Sequence, residues 1–93
     1  MAHCPFDLLK DLEQPLDEIR KLAKIKESKP GIFYLKGRGF LHFHINKEQR
    51  RWADVVDGNN WGTEIDLPFN PSRNQINEFI KEVKRRHQRT LDS

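Results

Sequence analysis

The chemically most distinctive residues of the chain are the two histidines of His42-Phe43-His44. Side chains alternate along a β-strand, so two imidazoles two positions apart point to the same face. With simple hairpin pairing, Asp54 on the next strand completes a metal-ligand set with them. The pattern therefore predicts a divalent-metal site of His42, His44 and Asp54, with Glu64 as candidate catalytic base. The alternative interpretation is that half-buried histidines hydrogen-bond to neighbouring carboxylates and shape a groove.

The composition is typical of a small folded protein. The 93 residues are 35% hydrophobic and 33% charged, which is polar for a globular chain but outside the disordered range. A net charge of +3 does not by itself predict nucleic-acid binding. The single cysteine, Cys4, excludes an internal disulfide and fits a reducing compartment. Because no apolar run approaches a membrane span and the first residues do not resemble a signal peptide, we expect a cytoplasmic protein.

The hydrophobic pattern predicts one α+β domain over residues 1–93. Residues 1–29 form a helical N-terminal segment, residues 31–67 an antiparallel four-stranded meander, and residues 71–89 a C-terminal helix. Four short apolar runs separated by turns containing Gly or Asn make up the meander: 32–36, 40–46, 51–57 and 61–67. Both helices are expected to pack on one face of the sheet. Either Asn70 or Ser72, with Gln75 three residues on, caps the last helix.

Alternation divides the strands into an apolar face, which the helices cover, and an open face of mixed character. The apolar set is Phe33, Leu35, Leu41, Phe43, Ile45, Ala53, Val55, Ile65 and Leu67. The candidate ligand-binding residues of the open face are Tyr34, Phe40, His42, His44, Trp52, Asp54, Glu64 and Asp66. With a three-residue loop at 37–39 and symmetric pairing around Glu48, His42 lies between Tyr34 and Asp54. The same register places His44 beside Trp52, with Asp66 beyond it.

Residues 36–43, Lys-Gly-Arg-Gly-Phe-Leu-His-Phe, resemble the RNA-contacting octamer of RRM domains and the similar run of cold-shock domains. Arg38 stands where both families place a stacking aromatic ring, and the order of helices and strands differs from an RRM. The resemblance implies single-stranded nucleic-acid binding through Arg38, Phe40, Arg50, Arg51 and Trp52. The alternative interpretation is a tight hairpin turn built with glycines.

Residues 31–69, with Phe-Leu-His-Phe-His in one strand and Asp-Leu-Pro-Phe at the end of the meander, resemble small uncharacterised bacterial proteins. The resemblance implies a similar meander and a bacterial cytoplasmic origin, and it brings no activity with it.

These patterns favour a binding domain over an enzyme. We expect the open face to bind a small polar ligand or a protein partner, without a required cofactor and with room for a divalent metal. A metal-dependent enzyme and a nucleic-acid-binding domain are the two alternatives. A homodimer is a third, because the apolar residues of the open face form a patch that rarely stays exposed. These residues are Ile32, Phe40, Trp52 and Val56.

Overall fold

A computed structural model describes residues 2–93 as an α+β fold. Met1, which the predicted N-terminal segment includes, lies outside the described residues. The helical elements are a 3-10 helix (Phe6–Leu12), α1 (Glu13–Arg20) and α2 (Arg73–Leu91). The strands are β1 (Ala2–His3), β2 (Ile25–Lys29), β3 (Ile32–Leu35), β4 (Arg38–Ile45), β5 (Arg51–Asp57), β6 (Asn60–Trp61) and β7 (Ile65–Asp66).

The sheet is an antiparallel meander in the order β2-β3-β4-β5-β6. The two remaining strands pair with strands inside this order: β1 pairs with β4, and β7 pairs with β5. The predicted fold class is thus confirmed, although the sheet has more strands than the four predicted. The predicted fourth strand is divided into β6 and β7: pairing with β5 ends with the hydrogen bond from the Gly62 amide to the Val55 carbonyl (2.9 Å) and resumes at Ile65.

The prediction of helix over residues 1–29 is wrong at both ends, where β1 and β2 are extended. Helix α1 ends at Arg20, a turn follows in which Lys24 adopts a positive φ of 64°, and Ile25 then pairs with Leu35. The lysine-rich run 24–29 carries little apolar periodicity, so its pairing with β3 is decided by the sheet and not by its own pattern.

The hydrophobic core lies between the sheet and the helices. From the strands it contains Phe33, Leu35, Phe40, Leu41, Phe43, Ala53 and Val55, from the residue after β7 Leu67, and from the helical elements Leu9, Leu12, Leu16, Ile19, Phe79 and Val83. Ile45 and Ile65 are partly buried and pack against it. Every member of the predicted apolar face therefore belongs to the core or contacts it, and the helices cover that face as expected.

Helix α2 begins with a capping box. The Ser72 hydroxyl accepts a hydrogen bond from the Gln75 amide (3.1 Å), and the Gln75 side chain accepts one from the Ser72 amide (2.8 Å). Of the two caps that the sequence allows, the structure uses Ser72. The satisfied first turn fixes where α2 starts, and its stripe of Phe79, Val83 and His87 is buried.

The turn between β3 and β4 differs from the predicted three-residue loop. Lys36 and Gly37, both at positive φ (54° and 80°), form a two-residue turn that pairs Leu35 with Arg38. A bulge follows, so Tyr34 pairs with Gly39 and not with His42 as predicted. The extra residue is Phe40, whose side chain turns into the core.

No helix among residues 2–93 has the length and apolar character needed to cross a membrane.

Candidate metal centre

Strand β4 positions His42 and His44 as the sequence predicts. In the observed register His42 pairs with Asp54, and His44 pairs with Trp52, which pairs in turn with Asp66. The turn before β5 fixes this register, because the Asn46 side-chain oxygen accepts hydrogen bonds from the amides of Glu48 (3.0 Å) and Arg50 (2.9 Å). The predicted pairing of His42 with Asp54 and the predicted row of His44, Trp52 and Asp66 are therefore confirmed.

His3 joins the two predicted histidines. Strand β1 lies along β4 with His3 opposite His44, and the next amide, that of Cys4, donates to the Phe43 carbonyl (2.9 Å). Cross-strand partners point to the same face, so the His3 ring lies over the open face. Sequence reasoning missed His3 because a two-residue strand has no alternation to detect.

The three imidazoles form a compact cluster. Ring centroids are 4.9 Å apart for His3 and His42, 5.2 Å for His3 and His44, and 4.6 Å for His42 and His44. One ring nitrogen from each lies within 4.8 Å of the other two. Nitrogen ligands around a tetrahedral zinc are about 3.4 Å apart, given Zn–N bonds of about 2.0–2.1 Å. Metal binding would therefore draw the three donors closer together.

Asp54 acts on this cluster through His44. Its Oδ2 lies 2.9 Å from His44 Nε2, so the carboxylate fixes the ring and favours the tautomer with the proton on Nε2. Nδ1 is then the lone-pair donor of His44, and it is buried without a hydrogen-bond partner among the described residues. His42 Nδ1 is in the same situation. The predicted ligand set thus changes in the structure: His3 takes the third position, and Asp54 orients a ligand.

The environment of the cluster disfavours the protonated form of His42. Burial lowers the pKa of His42, and the neighbouring His44 and His3 lower it further, which outweighs the opposite effect of Asp54. A neutral imidazole has the free lone pair that a metal needs.

Two indoles surround the cluster. Trp52 stacks on His44 at 5.4 Å between ring centroids with a 25° interplanar angle, and it is only 3% exposed. Trp61 meets His42 edge-on at 4.7 Å and is 49% exposed. The Arg50 guanidinium lies 4.6 Å from the Trp52 ring and covers it. His44 is therefore enclosed, whereas His3 is exposed and opens the cluster to solvent.

The other predicted ligand-binding residues lie apart from the cluster. Tyr34 is exposed on β3, displaced by the bulge. Phe40 was predicted on the open face, and this is wrong: it is fully buried and packs edge-on against His87 of α2 (6.0 Å). Glu64 and Asp66 both bind the Arg50 guanidinium, so the candidate base Glu64 is held by a cation outside the histidine cluster.

The residues predicted for nucleic-acid binding do not form an exposed surface. Phe40 and Trp52 are buried, which removes both stacking rings. Arg50 is paired with two carboxylates. Arg51 is fully buried, where it donates to both Asp11 oxygens (2.7 and 2.9 Å) and to the carbonyls of Leu8, Leu67 and Pro68. Arg38 alone of the five is exposed without a carboxylate partner in the described chain. The apolar patch predicted for a dimer interface is reduced in the same way, because Phe40 lies in the core and Trp52 is covered by Arg50.

Comparison of the chain with protein-family models, with curated proteins and with solved structures finds no match. The resemblance of residues 31–69 to small bacterial proteins stays an expectation, and the function proposed below rests on the geometry of the histidine cluster.

Proposed function

We propose that the protein binds a divalent transition-metal ion, with zinc as the reference ion, through His3, His42 and His44. The observation that carries the proposal is that three imidazole nitrogens lie within 4.8 Å of one another while Nδ1 of His42 and of His44 are buried without hydrogen-bond partners in the described chain. A buried polar atom without a partner costs about 1–3 kcal/mol, and a metal bond removes that cost.

The chemistry of the donors selects the ion. Three imidazoles suit zinc, copper, nickel and iron, whereas magnesium and calcium prefer oxygen. Asp54 supports the assignment, because a carboxylate on the far nitrogen of a ligating imidazole raises its basicity and fixes its orientation. Three protein ligands leave a coordination position free on the side of the exposed His3, which is where water or a ligand would bind.

Cys4, although adjacent to His3, is assigned to the core. Its side chain is buried among core residues, and burial raises the pKa of its thiol, which opposes the thiolate that zinc requires. The buried free thiol also supports a reducing, cytoplasmic location, which we propose together with the bacterial origin that the resemblance implies.

The test is thermal unfolding of tag-free, metal-depleted protein with and without zinc chloride. At a free zinc concentration about a hundredfold above Kd, binding stabilises the native state by about 2.7 kcal/mol, which raises Tm by roughly 10–20 °C in a domain of this size. His3→Gln and His42→Gln should abolish most of the increment. Cys4→Ala is the matched control and should keep it. An equal increment in His3→Gln, or none in the wild type, contradicts the proposal.

A further inference from the structure

We propose that a second site on this protein, a cavity beside Trp61, binds a small organic anion with a planar apolar body, such as an aromatic carboxylate or aryl phosphate. The cavity has a volume of about 340 Å³ and lies between the β3–β4 turn, β6 and the end of α2. Its principal lining residues are Lys36, Arg38, Phe40, Val56, Asn60 and Trp61. We call it the Trp61 pocket.

The Trp61 pocket has a positive rim without side-chain carboxylates. Lys36 and Arg38 are exposed at its edge, and neither Asp nor Glu lines it in the part of the chain that the structure describes. Arg50, Arg85 and Arg89 all pair with carboxylates, whereas Arg38 has no such partner among residues 2–93. A guanidinium whose donors are free binds carboxylate or phosphate in a bidentate manner.

The interior of the Trp61 pocket is apolar and flat. Phe40 and Leu35 are buried beneath it, and the indole of Trp61, half exposed, forms a wall. Gly39 lies directly beside the Trp61 ring, since a Cβ at this position would be in van der Waals contact with it at 3.5 Å. An aromatic ring of the ligand would stack on the indole, and the side-chain amides of Asn59 and Asn60 would serve the polar end.

The surroundings add to the positive field. On the other side of Lys36 a shallower depression is lined by Lys24, Lys26 and Tyr34, again without side-chain carboxylates among the described residues. Clustered cations without neighbouring acids raise the local concentration of anions. The positive rim and the flat apolar interior of the Trp61 pocket therefore both favour an organic anion with a planar body.

The inference does not rest on the proposed metal site, although Trp61 also contacts His42, and it is tested in EDTA so that the two proposals can fail separately. The experiment is a two-dimensional amide and indole NMR titration with benzoate, phenyl phosphate, benzyl alcohol and inorganic phosphate. Benzoate or phenyl phosphate should shift the Trp61 indole and the Arg38 and Asn60 amides saturably, with Kd on the order of 1 mM or tighter. Whichever of these two ligands binds more tightly identifies the anionic group that the Trp61 pocket prefers.

Three comparisons decide the result. Benzyl alcohol, which lacks the charge, should bind at least about tenfold more weakly, and so should inorganic phosphate, which lacks the ring. Arg38→Gln should weaken benzoate or phenyl phosphate by about tenfold. Arg73→Gln is the matched control, because Arg73 is also exposed but lies in the first turn of α2, outside the Trp61 pocket. Equal binding of benzyl alcohol, equal binding of inorganic phosphate, or an unchanged affinity in Arg38→Gln would overturn the inference.

Discussion

Replacement of Asp54 by Asn should weaken zinc binding by about 30-fold without unfolding the protein. Asp54 does not belong to the three-histidine cluster, and its carboxylate lies 2.9 Å from His44 Nε2. The His44 side chain is 11% exposed and that of Asp54 24%, so water competes little for this hydrogen bond. Loss of such a carboxylate from behind a ligating imidazole typically lowers metal affinity by about 10–100-fold. The middle of that range corresponds to about 2 kcal/mol of binding free energy.

The physical reason is the state of His44 Nδ1. With the carboxylate present, the proton stays on Nε2 and the lone pair on Nδ1 is available; an amide at position 54 has no charge and can present either an oxygen or an N–H. The ring becomes less basic, and part of the population holds its proton on Nδ1. Both changes weaken a metal bond at that nitrogen.

Competition with a chromophoric zinc chelator near neutral pH measures the effect, on metal-depleted protein of verified fold. Glu64→Gln is the matched control: it removes the same charge from the open face, but Glu64 contacts Arg50 and not the histidines. It should change the zinc affinity by less than about twofold, because exposed charges are strongly screened. Zinc affinity unchanged in Asp54→Asn, or reduced equally in Glu64→Gln, would refute the assigned role of Asp54.

Three further predictions concern the stability of the folded protein. Arg51→Met should lower the free energy of unfolding by about 3 kcal/mol in urea, because Asp11 and three carbonyls lose their donor. Burial raises the pKa of Asp11, but hydrogen bonds from Arg51 and the Asn70 amide outweigh burial and hold this pKa below its usual value. Stability should therefore fall as the pH drops below about 4, and less so in Asp11→Asn. Gly31→Ala should cost about 2 kcal/mol or more, also by urea unfolding, since φ is +81° and the new Cβ would lie 2.7 Å from Leu9.

The central strands could be predicted from the sequence because their local signals agree. Strand β5 begins and ends where predicted, and its register with β4 follows from a symmetric turn around Glu48. Two faces of opposite character fix which side of each strand is buried, and together with the symmetric turn around Glu48 they place His42 beside Asp54. The capping box of α2 could be predicted for the same reason, because Ser72 and Gln75 are only three residues apart in the sequence.

Phe40 was misplaced because a bulge reverses alternation at a single residue. Lys36-Gly37-Arg38-Gly39 allows several turns, and the choice of a two-residue turn leaves Phe40 unpaired and free to enter the core. The local sequence pattern does not distinguish these turns. The observed arrangement places Phe40 beside His87 of α2, and that helix begins more than 30 residues later in the chain.

The buried arginine and the third histidine depend on contacts between distant segments. From the sequence, Arg51 is expected to be an exposed charge on a strand. In the structure all its donors are satisfied by Asp11 and by carbonyls from the N-terminal region and the segment after β7. His3 reads as part of a loose terminus, but pairing with His44 places it in the cluster. Sequence periodicity describes one element at a time and carries no information on such pairings.

The most direct test of the metal site is NMR detection of the imidazole nitrogens during a titration with zinc. The proposal predicts that one equivalent of zinc shifts the ligating nitrogen of His3, together with Nδ1 of His42 and Nδ1 of His44, while His87, bound to the Ala23 carbonyl, stays unchanged. His44 Nε2 should keep its proton toward Asp54. Spectra that are unchanged by zinc, or that change equally at His87, would contradict the three-histidine site.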